Sequence, residues 1–179
     1  MTPQEYIQLR AFARQDGALL ALLWIGCFVF YLLGLSNPVM GLVAVLSICA
    51  SPFFAASRLR HFRDYGREGV ISFARSYAYI VMIFFYAGIL LAVALYLYFA
   101  FMDKWFLVGQ IIDTLQSPEG QKAIEAYGMQ TEMDENIKYI SELRPIDIAL
   151  NMLTINIITG FILGLPIAAV MQRKDADKQ

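Results

Sequence analysis

The chain has 179 residues, 59% of them apolar and 14% aromatic, and its mean hydropathy is +0.55. Charged residues make up 16%, against the roughly 25% usual in soluble proteins, and the net charge is −1. No charge falls between Asp16 and Arg58, between Arg75 and Asp103, or between Asp147 and Arg173. A soluble core interleaves its charges with helix or strand periodicity, so these gaps exclude a soluble domain and read as membrane spans.

At the N-terminus, Thr2-Pro3-Gln4-Glu5 is a capping-box pattern with Pro at the first helical position. Tyr6, Leu9, Phe12 and Ala13 then share one face. This predicts a short amphipathic helix over 1–16, lying at the cytoplasmic surface. The first gap, 17–57, is twice the roughly 20 residues that a span needs. Ser36-Asn37-Pro38 splits it, because Asn and Pro mark a turn and Pro opens a helix. Transmembrane helices are therefore expected over 18–35 and 39–56, joined as a tight hairpin. Pro52 should kink the end of the second, where Ser51 and Ser57 can bond the freed backbone groups.

Cys27 and Cys49 sit inside apolar runs and read as small buried hydrophobes rather than a disulfide pair. No A-x-A-like cleavage site follows the first span, which argues against a secretory signal. Gly26-Cys27 is not read as a lipidation site, since Trp24 precedes it and the apolar run continues.

Residues 58–75 form a basic loop carrying Arg58, Arg60, Arg63, Arg67 and Arg75. These arginines are expected to set orientation and to lie against anionic lipid headgroups, at about 1 kcal/mol each. A phosphorylated ligand or acidic partner is the alternative for the same residues. The loop is too short and too tightly tethered for nucleic acid, and His61 reads as a surface residue. The third span is expected over 76–102, with Tyr77 and Tyr79 near one end and Tyr96, Tyr98, Phe99 and Phe101 near the other, as interfacial anchors.

The segment 103–147 holds nine acidic and four basic residues, a net −5. Trp105, Val108, Ile112 and Leu115 recur at helical spacing, so the third span is expected to run on past the membrane. Ser117-Pro118 is a cap and first turn, Gly128 a stop, and Thr131 opens a further segment with Met133, Ile137 and Ile140 on one face. Short amphipathic helices in an outer loop are expected. Glu132, Asp134 and Glu135 lack the spacing of a calcium loop and read as a solvated face. Asp103 and Asp147 are candidates for lipid-headgroup chemistry by position alone.

The fourth span is expected over 148–170, with Pro145 and Asp147 in its first turn, and a cytoplasmic tail over 173–179. It carries most of the intramembrane polarity: Asn151, Thr154, Asn156 and Thr159. Asn156, Gly160, Gly164 and Ala168 follow at intervals of four, and small residues at that spacing let a second helix approach closely. Packing inside the bundle and association with another chain are both readings of this stripe. Asn151, Thr154 and Asn156, with Pro52, are also the candidate lining of a polar cavity.

Ten of the fourteen Lys and Arg residues fall in the N-terminal segment, the 58–75 loop and the tail, and four fall in 103–147. By the positive-inside rule both termini are cytoplasmic and 103–147 faces outward. The four apolar segments themselves hold no ionisable residue, which argues against an ion pathway within one chain. One histidine cannot build a zinc site with membrane-embedded cysteines. No G-x-S-x-G, Walker loop or G-x-G-x-x-G occurs.

Phe62-Arg63, the run Gly69-Val70-Ile71-Ser72-Phe73 leading into the third span, the acidic outer segment and the closing Arg173-Lys174 together resemble a family of small bacterial inner-membrane proteins. That family is catalogued only as a domain of unknown function. The resemblance covers nearly the whole chain, implies a four-span protein and brings no activity with it.

The expectation is thus an all-α integral membrane four-helix bundle with short amphipathic helices in one extracytoplasmic loop. It sits in a bacterial inner membrane, with the lipid bilayer as its surroundings and a homo-oligomer or membrane-protein partner in view. No nucleic acid and no cofactor are expected. The function expected is a non-enzymatic accessory or scaffold, associating through the fourth span and the outer loop. The alternative is a small transporter or lipid-handling protein.

Overall fold

The protein, seen in a computed structural model, is described over residues 2–173, apart from the side chains of Thr131, Glu132 and Asp134. Of the tail expected over 173–179, only Arg173 is among these residues. The described residues are helical, with one isolated antiparallel bridge, Ile71 to Arg173, and no strand. Two compact units divide the chain: unit 1 is Met1–Ala92 with Asn151–Gln179, and unit 2 is Val93–Leu150. Four helical stretches are long and apolar enough to cross a membrane: Pro3–Gly34, Pro38–Gly66, Phe73–Met102 and Pro145–Met171.

α1 runs unbroken over Pro3–Gly34. Its capping box forms: Thr2 Oγ1 accepts from the Glu5 N–H (3.3 Å), and Glu5 Oε2 accepts from the Thr2 N–H (2.8 Å). The surface helix expected over 1–16 is therefore not separate. The polar junction Asp16-Gly17 does not end the helix, because Asp16 is paired inside the bundle and Gly17 packs against another helix. At 1.5 Å per residue, α1 is about 48 Å long, so its first turns extend beyond a hydrocarbon layer of about 30 Å.

α2 (Pro38–Cys49) starts at Asn37, whose Oδ1 accepts from the Val39 N–H at 3.0 Å. The hairpin is tight enough that a Cβ on Gly34 would lie 2.7 Å from the Gly41 Cα. The helix breaks at Ala50 and restarts as α3 (Ser51–Gly66), with Pro52 in its first turn, where no donor is needed. α3 continues far past the expected end at residue 56. Ser51, Ala55, Leu59 and Phe62 share a buried face that carries it on. Most of the expected basic loop is thus helix. The chain reverses through Glu68 (φ 53°) and Gly69 (φ 85°), and the Gly69 N–H bonds the Arg63 carbonyl at 2.9 Å.

α4 (Phe73–Leu97) is the most buried of the spans and ends in a π-helical turn over Tyr98–Met102. Within unit 1 its Tyr79, Ile80, Ile83, Phe84 and Ala87 are almost fully buried, with Leu9, Ala13, Leu20 and Ala21 of α1 and Leu59 and Phe62 of α3. Close approach to α4 is made at glycines. A Cβ on Gly17 would lie 2.7 Å from Tyr86 Cβ and 2.9 Å from the Ile83 oxygen.

Unit 2 holds α5 (Phe106–Gln116), α6 (Pro118–Ala126) and α7 (Gln130–Glu142), and α8 (Pro145–Met171) begins in it. α4 does not run on as expected: Lys104 (φ 44°) and Trp105 (φ 68°) are left-handed and turn the chain before α5. Trp105 is consequently exposed, while Val108 of the same expected stripe is buried. Ser117 Oγ accepts from the Gly120 N–H (3.1 Å), and Gly128 takes a left-handed φ of 65° between α6 and α7. α5, α6 and α7 pack pairwise, with Leu107, Val108 and Ile124 buried.

Adding a methyl group at a helix crossing tests this packing. Gly17→Ala should destabilise the protein by about 1–3 kcal/mol through overpacking. At Gly26 nothing lies within 4 Å of an added Cβ, so Gly26→Ala should be neutral or gain up to about 1 kcal/mol from helix propensity. Unfolding in detergent micelles measures both, and equal effects would contradict the crossing.

Candidate functional site

Each apolar span leaves few polar groups, so the geometry of those present is informative. In unit 1 they gather around Asp16, which is 1% exposed. Arg58 of α3 donates to Asp16 Oδ1 from Nε (2.7 Å) and Nη2 (2.6 Å), and the Tyr79 hydroxyl of α4 donates to Oδ2. The Phe62 ring stacks on Tyr79, with centroids 4.5 Å apart and planes 5° from parallel, and Phe12 packs against Phe62. A buried carboxylate is therefore paired with a guanidinium and hydrogen-bonded on both oxygens, one of them by a tyrosine held in an aromatic stack.

The apolar segments 18–35 and 39–56 hold no ionisable residue, as expected. Asp16 lies just before the first and Arg58 just after the second, and the bundle buries the carboxylate where the two meet. Deeper along the same helices, Trp24 Nε1 donates to Ser51 Oγ at 2.9 Å, beside the Ala50 break.

A second cluster gathers near the start of α1. Glu5 receives Arg67 Nη1 on Oε1 (3.0 Å) and Arg75 Nη2 on Oε2 (2.7 Å), and Gln8 donates to the Gly66 carbonyl (3.1 Å). Arg63 bonds Asp64 (2.7 Å) and the Met171 carbonyl of α8 (3.2 Å). The arginines expected to face lipid headgroups behave differently from one another. Arg60 is 69% exposed, but the side chains of Arg58, Arg63, Arg67 and Arg75 are only 12–26% exposed and bind the chain's own acceptors. The reason is the length of α3, which carries Arg58 and Arg63 alongside α1 and α8.

The stripe Asn156, Gly160, Gly164 and Ala168 is buried. It lies against α4 of the same chain: a Cβ on Gly160 would meet Phe84 Cβ at 2.6 Å, and one on Gly164 would meet the Tyr77 ring at 3.1 Å. The in-bundle reading of the stripe thus describes its position, and this face is taken. The four residues expected to line a polar cavity differ in burial and bonding. Asn151 and Thr154 are exposed, Pro52 is half-buried at the start of α3, and the Asn156 amide donates to the Met152 carbonyl at 2.9 Å.

In unit 2, Asp103 is buried and accepts from the Leu107 N–H at 3.1 Å, capping α5. Asp147 binds the Arg144 guanidinium through both oxygens (2.8 and 3.0 Å), which raises the Arg144 pKa further above its ordinary value. Both carboxylates serve helix starts. Cys27 and Cys49 are free thiols, the first buried and the second exposed. Among the described residues no group of three or more His, Cys, Asp or Glu side chains could hold a metal.

The family described as a protein of unknown function, DUF4199, matches residues 15–173. The chain belongs to the DUF4199 family. Its matched region takes in both Asp16 and Arg58, α1 from residue 15 onward, the other three spans and the whole of unit 2. No curated protein and no solved structure matches it. The family description carries no activity, in keeping with the resemblance drawn from the Gly69–Phe73 run.

Removing one partner of the buried pair should be far worse than removing an exposed arginine. Asp16→Ala leaves Arg58 uncompensated and should cost about 3–5 kcal/mol, and Tyr79→Phe about 1–2 kcal/mol. Arg60→Ala should stay within roughly 0.5 kcal/mol. The Asp16→Ala/Arg58→Met double variant should recover much of the loss in a double-mutant cycle. An Asp16→Ala protein as stable as Arg60→Ala would refute the pairing.

Proposed function

We propose that this DUF4199 protein is a non-enzymatic membrane accessory or scaffold protein. Its spans anchor the acidic helical unit as a docking element for another membrane or extracytoplasmic protein. The observation that carries this is the surface of unit 2. Tyr127 is 80% exposed, Tyr139 57% and Phe106 58%, on short helices packed into a compact body of their own. Exposed aromatic side chains are characteristic of protein interfaces, and the net −5 of 103–147 favours a basic counterpart.

The fourth span was the other expected route of association. Its small-residue face is already covered by α4, so the reading now rests on unit 2. A transporter or lipid-handling role is the alternative; of its candidate residues, Asn151 and Thr154 are exposed and the Asn156 amide bonds the Met152 carbonyl. The proposed setting is a bacterial inner membrane with both termini in the cytoplasm, on the ten-to-four division of Lys and Arg.

A photo-crosslinking residue placed at Tyr127 or Tyr139 in cells should yield a discrete protein adduct. The same residue at Leu42, exposed on α2, should yield none. Absence of adducts at both tyrosines would remove the docking reading. In a Cys27→Ala/Cys49→Ala background, a membrane-impermeant maleimide should label Tyr127→Cys from outside and Arg60→Cys only after permeabilisation. The reverse pattern would invert the topology.

A further inference from the structure

The Glu5 cluster is built as a receptor for an anion. Arg67, at the end of α3, and Arg75, in the first turns of α4, each address a different oxygen of one carboxylate. Two guanidiniums converging on the oxygens of a single anion is also the arrangement that holds a phosphate. Each guanidinium carries five N–H donors, many more than the two Glu5 oxygens can accept. Arg67 Nε–H is buried and has no hydrogen-bond partner among the described residues. Beside the two arginines opens a cleft of about 710 Å³, lined also by Glu68, Ile71 and Ser72.

We infer that this cleft is a binding site for a phosphate group, and that Glu5 occupies its arginines as a built-in stand-in that the phosphate displaces. A phosphate offers more oxygens and more charge than a carboxylate, and so satisfies donors that Glu5 leaves over. The exposed Ser72, just before α4, and Ala74 in the first turn of α4 line the same cleft, and a helix start favours an anion. Glu68, the one acidic residue of the lining, sits on the exposed reversal at φ 53° and sets a limit on how much negative charge is accepted.

Glu5 is suited to leaving. Its side chain is 25% exposed, and Thr2 still caps α1 when the carboxylate turns away. The cleft lies where α3 ends and α4 begins. A phospholipid headgroup and a soluble phosphate share the chemistry it recognises. The inference stands apart from the accessory reading.

The test uses the full chain in detergent micelles, titrated with phosphatidylglycerol or with phosphatidylcholine and followed by native mass spectrometry. A second arm follows the melting temperature against inorganic phosphate. Glu5→Gln removes the competitor's charge and should bind about tenfold tighter than the natural protein. Arg75→Gln and Arg67→Gln should bind about tenfold more weakly, and the exposed Arg60→Gln should be unchanged.

This ordering with phosphatidylglycerol but not phosphatidylcholine assigns the site to a headgroup; with inorganic phosphate alone, to a soluble ligand. Without ligand Glu5→Gln should melt lower, and ligand should restore it. If Glu5→Gln binds no tighter in either arm, or melts lower without recovery, Glu5 is a structural clamp and the inference is overturned.

Discussion

A carboxylate buried among apolar helices costs several kcal/mol unless its charge is matched and both oxygens are bonded. Asp16 meets that condition only when α1, α3 and α4 stand in one register, since Arg58 and Tyr79 come from the other two helices. A slip of one residue in any of them would leave a charge or a hydroxyl without its partner. At Gly17, the next residue, α1 approaches α4 closely. The pair and the crossing therefore reinforce each other: the crossing brings Tyr79 within reach, and the pairing holds the crossing in place.

Elsewhere the bundle is held by different means. Hydrocarbon tails are as apolar as leucine, so helices in lipid associate by close packing and hydrogen bonds rather than by exclusion of water. Where α8 meets α4, the contact is made by Gly160 and Gly164 against aromatic side chains, with no charge involved. α8 is tied polarly nearer the chain ends, through the Met171 carbonyl and the Ile71 bridge. Charge pairing and close packing act together where α1, α3 and α4 meet, and steric fit alone serves where Gly160 and Gly164 meet α4.

Much of this was legible in the amino-acid sequence, and the failures have a physical pattern. Hydropathy finds the four spans, and Ser36-Asn37-Pro38, Ser117-Pro118 and Gly128 act as the turn chemistry demands. Hydropathy also treats every charge as a boundary, and Asp16 and Arg58 are boundaries only until they meet. A usable signal was present: Asp16 lies 21 residues before Asn37 and Arg58 lies 21 after it. A hairpin folded at Asn37 brings two opposite charges to the same level. The polar residues of α8 show what hydropathy leaves open: Asn151 and Thr154 are exposed, whereas Asn156 is buried and bonds the Met152 carbonyl of its own helix.

These placements also say where change is possible in the protein. Asp16 is buried with partners on two other helices, and exchanging them requires α1, α3 and α4 to separate. Glu5 is partly exposed, at the first turn of α1, and binds two arginines that border open space. Turning its side chain away leaves the three helices where they are. The two acidic residues thus do opposite work with the same chemistry: the buried one commits the helices to a single arrangement, and the accessible one leaves its arginines open to exchange. Any response of the bundle to charged groups at the membrane surface is therefore expected to begin at Glu5, with Asp16 keeping the fold constant while it happens.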